Sequence, residues 1–193
     1  MRVLSMDVSK RFYTAAVSAV CLILILGCIL AKDSHAATAK EIDVSVDVAL
    51  ERFQKEVSGA KEFLKSAKGV LVFPSVYKAG FVVGGEYGEG ALRIDGKTVD
   101  YYNTVAGSWG LQLGAQKKTV ILVFMQNEAL QKFRNSQGWK AGVDGSVALI
   151  TVGVEGSIDT TKIKDPIVGF VFGQKGLMYN LTLEGSKYTK LKK

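Results

Sequence analysis

His35 is the only histidine in the 193 residues, and both cysteines, Cys21 and Cys28, fall among the first thirty. Serine or cysteine triads built on imidazole, and zinc sites that use it, are therefore excluded from the body of the chain. Carboxylates are plentiful there, including Glu86, Glu89, Asp95, Asp100, Asp144, Glu155 and Asp159. A glycosidase-type pair needs a controlled separation and one raised pKa, and nothing in their spacing indicates either. Gly96-Lys97-Thr98 has the look of the end of a phosphate-binding loop, but Ala91 stands where that loop needs its first glycine, and a strand pattern follows. The chain is read as non-catalytic, without metal or cofactor. What remains is binding chemistry. Lys78, Lys117, Lys118 and Arg134 each flank a strand or short-helix end and are the candidates to attract an anionic headgroup. Phe81, Trp109 and Trp139 are the candidates to line an apolar pocket.

Residues 70–125 must position most of these groups. They are rich in β-branched and aromatic residues and set glycine inside apolar runs at 80, 84, 85, 88, 90, 107, 110 and 114. Glycine in a strand marks a bulge or a close approach of backbone. The fold class expected is α+β: a strongly curved, Gly-rich antiparallel sheet or partly closed barrel, with an N-terminal amphipathic helix and a short mid-chain helix. Apolar residues at three- and four-residue spacing, from Val46 through Phe53 to Leu64 and Ala67, predict one helix over 45–69, with Ser45 as N-cap and Gly69 as its end. A strand over 70–73 should stop at Pro74, with Lys78 in the turn that follows. Asp95-Gly96 predicts a tight hairpin, residues 119–125 a strand buried on both sides, and residues 128–134 the short helix capped by Asn127. Strands are also expected over 139–143, 146–154, 167–172 and 176–183. The basic tail, 187–193, reads as a solvated end.

The beginning of the chain has another character. Lys10 and Arg11 precede an apolar run over 12–31, then short polar residues, the order of a bacterial-type export signal. Ile25-Leu26-Gly27-Cys28 resembles a lipobox, which would place a lipid on Cys28 and hold the protein at the outer membrane, its domain in the periplasm or at the cell surface. Ser34-His35-Ala36 and Ala37-Thr38-Ala39 fit ordinary signal peptidase cleavage, which would leave a soluble periplasmic protein. The expected division is a signal over 1–27, anchor and linker over 28–43, and one domain over 44–193. The formal net charge is +7; removal of residues 1–27 takes away Arg2, Lys10 and Arg11 against Asp7 and leaves +5. In an exported protein that balance favours anionic lipid over nucleic acid.

Phe73-Pro74-Ser75-Val76-Tyr77-Lys78-Ala79-Gly80-Phe81, then Gly84-Gly85 and Gly88-Glu89-Gly90, resemble the opening landmarks of the SYLF lipid-binding family. Gly110-Leu111-Gln112-Leu113-Gly114-Ala115-Gln116 is similar to its G-x-Q-x-G-x-Q segment. The resemblance covers about residues 45–185 and implies a phospholipid or fatty acyl chain as partner, at an anionic membrane surface. The alternative is a structural or protein-interaction lipoprotein of the envelope without a specific lipid.

Overall fold

The computed structural model describes residues 37–80, 83–109, 114–151, 165–176 and 183–193. Cys28, the export signal and Phe81 lie outside them, as does the side chain of Trp109.

Helix α1 (Ala39–Glu56) begins at Thr38, whose hydroxyl accepts from the Glu41 N–H while the Glu41 carboxylate accepts from the Thr38 N–H at 2.7 Å, a reciprocal capping box. The N-cap therefore lies seven residues before the expected Ser45, inside the stretch read as linker. Ile42, Val46, Ala49 and Phe53 form its buried stripe. It stops at Val57, and Gly59, at φ 82°, turns the chain into a separate helix α2 (Ala60–Ser66). The single helix expected over 45–69 is thus two, because the left-handed residue lies at Gly59 and Gly69 opens the first strand.

Eight strands follow among the described residues: β1 (Gly69–Gly80), β2 (Val83–Ile94), β3 (Lys97–Trp109), β4 (Gly114–Phe124), β5 (Trp139–Lys140), β6 (Ala148–Thr151), β7 (Ile167–Gly176) and β8 (Lys187–Leu191). Helix α3 (Asn127–Asn135) lies between β4 and β5. The strands form one strongly curled half-barrel sheet in the order β5-β8-β3-β2-β1-β4-β7-β6. Every pairing is antiparallel except β6 with β7, so the sheet is mixed. Asp95 and Gly96, both at positive φ, make the tight β2–β3 turn. The tail is not a solvated end: β8 pairs with β3 and buries Tyr188.

Alternation along the strands fills both faces. On one, Val72, Ala91, Ile121, Val123, Phe170 and Phe172 meet Phe53 and Phe63 of the two N-terminal helices. On the other, Leu71, Phe73, Leu92, Leu122 and Phe124 meet Leu130 and Phe133 of α3. Phe133 stands at the centre of that second core, with ring centroids 4.9 Å from Tyr102, 5.0 Å from Phe124 and 5.6 Å from Trp139. Pro74 does not end β1. The pairing of β1 with both neighbours shifts between Val72 or Phe73 and Ser75 or Val76, so Pro74 sits in a bulge, where its missing N–H costs no ladder bond.

Candidate functional site

Paired residues of neighbouring strands share a face, so the register can be followed across the sheet. Lys175 on β7 pairs with Lys117 on β4, and Lys117 with Tyr77 on β1. Tyr77 pairs with Tyr87 on β2, and Tyr87 with Val105 on β3. Val105 pairs with Lys187 on β8, and Lys187 with Lys140 on β5. The result is one row across seven strands: two lysines, two tyrosines, a valine, two lysines. At a strand spacing of about 4.8 Å it runs for roughly 30 Å along the sheet. All seven residues are exposed, Tyr77 at 57% and Tyr87 at 48%.

The row lies on the face that carries α1 and α2, beyond the part those helices cover. Helix α1 adds Val44 and Val48, both more than half exposed. A recess of about 300 Å³ between them and β4 is lined also by Arg52, Pro74, Lys117 and Lys175. A second, of about 330 Å³, continues it along Tyr77, Ala79 and Ala115. The Lys117 ammonium stands 5.3 Å over the Tyr77 ring. Among the described residues no carboxylate lies within ion-pair distance of Lys117 or Lys175. Like charges placed directly opposite each other in a sheet oppose folding, so this pair has no stabilising role to account for it.

Tyr87 is tied to the start of α1. Its hydroxyl donates to Glu89 Oε1 at 2.7 Å; Lys193 Nζ lies 2.9 Å from Glu89 Oε2 and donates to the Ala37 carbonyl at 2.6 Å. Burial and the carboxylate push the Tyr87 hydroxyl up to about 12. Burial also pushes Glu89 upward, but the bonds from Lys193 and Tyr87 outweigh it and hold the carboxyl below its ordinary value. A carboxyl depressed in the folded state stabilises above its unfolded value, near 4.5, and that stabilisation is lost as pH falls through the lower folded value. Lys193→Met should therefore lower the melting temperature at pH 7 and leave it close to that of the parent in strong acid. A gap of constant size from pH 7 to pH 3 would show that the ion pair contributes nothing.

The sequence candidates divide. Lys117 lies in the row. Lys78 and Lys118 point to the opposite face, where both meet Glu86; Lys78 is within β1, not in a turn. Arg134, on α3, is paired with Asp100 at 3.1 Å, and Lys190 meets the same carboxylate. Trp139 is buried in the core against Phe133 and Tyr188. Tyr77, Tyr87, Lys140, Lys175 and Lys187 were missed, since only the register brings them together.

No curated protein matches the chain. Residues 105–193 match the family model described as Ysc84, Las17-binding protein actin regulator. The matched stretch takes in Val105 and all four lysines of the row, and over those residues the chain is similar to the SYLF domain of the Ysc84 family.

Proposed function

We propose that this domain binds phospholipid at an anionic membrane surface, without catalysis, as an envelope protein held by lipid on Cys28. The observation that supports the reading best is the exposed row in which tyrosines and a valine are flanked on both sides by paired lysines. Tyrosine presents an apolar body and a polar tip suited to the headgroup level, and lysine stems snorkel towards anionic groups. Val44 and Val48 extend the apolar part. Each lysine near such a surface contributes about 1 kcal/mol of attraction, reduced by salt.

Residues 37–193 form a compact unit that contains both cores, and the test uses that unit. In flotation it should rise with vesicles containing phosphatidylserine, not with phosphatidylcholine alone, and binding should fall as salt is raised. No binding to anionic vesicles at low salt would overturn the reading. The family description, which names an actin regulator, favours a protein partner as the second reading, and that outcome would leave it standing.

A further inference from the structure

Among the described residues, the face of the sheet away from α1 holds more positive charge than negative. Lys78 is opposite Glu86 on β2 and Gln116 on β4, and Val76 is opposite Lys118, so these side chains converge. Lys78 is 3% exposed and Lys118 1%. Glu86 lies 3.4 Å from the first ammonium through Oε1 and 2.8 Å from the second through Oε2. Among the described residues, two buried cations thus share one carboxylate. The Lys118 contact is an ion pair without the alignment of a hydrogen bond, and that ammonium has no hydrogen-bond partner. Gln116 is buried beside it: its Nε2 reaches Gln174 at 3.4 Å, while its Oε1 has no partner.

A buried charge is retained at a cost unless it is paired and its hydrogens are bonded. Exchanging the oxygen and nitrogen of the Gln116 amide, with the same exchange at Gln174 to keep their hydrogen bond, would present N–H donors where the unpartnered oxygen now lies. The donors unfilled here and the excess of one positive charge suit one kind of group. We infer that Lys78, Lys118 and Gln116 form a binding site for a single oxyanion, a carboxylate or a phosphate, with Glu86 setting the charge the ligand must carry. A free anion and a lipid headgroup share this chemistry. The site is on the opposite face from the lysine and tyrosine row and stands apart from the membrane reading.

The test follows thermal unfolding and the lysine Nζ resonances as sodium acetate or phosphate replaces sodium chloride at constant ionic strength. A second arm adds a short-chain, water-soluble phosphatidic acid. In one arm or the other the melting temperature should rise by a few degrees and the Lys78 and Lys118 resonances should move; the arm that responds identifies the source. Lys118→Met should abolish both effects, and Gln116→Met, which keeps all three charges, should weaken binding several-fold if the first variant does not fold. Glu86→Gln removes the competing carboxylate and should tighten binding by about tenfold. The site is overturned if neither arm moves the parent protein, or if the folded lysine variant responds as the parent does.

Discussion

Changing Lys117 and Lys175 together to glutamate should weaken binding of residues 37–193 to anionic vesicles by about two to three orders of magnitude. Each lysine near an anionic surface is worth about 1 kcal/mol, and reversal replaces two attractions with two repulsions. The total, about 4 kcal/mol, corresponds to that loss at 1.4 kcal/mol per decade. The single change Lys117→Glu separates binding from folding. It sets opposite charges at the cross-strand pair with Lys175, which should stabilise the domain by a few tenths of a kcal/mol while still weakening vesicle binding about tenfold or more. Vesicle sedimentation and urea unfolding on the same variant would show both. Binding unchanged in the double variant would remove the row from the membrane contact.

Gly90→Ala should unfold the domain or destabilise it by about 3 kcal/mol or more. A Cβ at that position would lie 2.0 Å from the Val72 carbonyl oxygen and 2.8 Å from Phe73 Cδ1. Gly90 stands opposite the bulge of β1, between the pairs Ala91 with Val72 and Glu89 with Ser75. Backbone must therefore move, and with it the β1–β2 ladder. Gly85→Ala, on the same strand, is the control: its Cβ would meet nothing within 4 Å, so the change should be neutral or stabilising by up to about 1 kcal/mol. Equal urea midpoints for the two variants would contradict the close approach.

The sheet was legible because its signals are local. Asp95-Gly96 makes its turn, residues 119–124 run buried on both faces as a central strand, and the glycines mark a close backbone approach at Gly90. The start of α1 was misread because the apolar recurrence was counted from Val46; Ile42 and the Thr38 to Glu41 box show that the helix is one turn and more longer. Pro74 was read as a stop because a proline in a central strand ordinarily is one, and the bulge is the exception. The lysine and tyrosine row was not legible, since its seven members come from seven strands. Only the part across β2 and β3 follows from the Asp95-Gly96 turn, and even there a one-residue irregularity after Leu92 shifts the count. Lys78 and Lys118 were named for flanking strand ends, yet the alternation that turns them inward also turns Tyr77 and Lys117 outward.

That alternation depends on the extra residue in β1. Phe73 and Val76 are three positions apart and belong to the same core, where an unbroken strand would put them on opposite sides. Laid in a plain zigzag from Phe73 with no bulge, the same residues would carry Tyr77 inward and Lys78 out to solvent, whereas deleting Ser75 would remove the bulge and leave both facing as they do. The bulge thus acts as a phase setter: a single inserted position decides which of two adjacent side chains is displayed and which is sequestered, and two functions can be written on one strand.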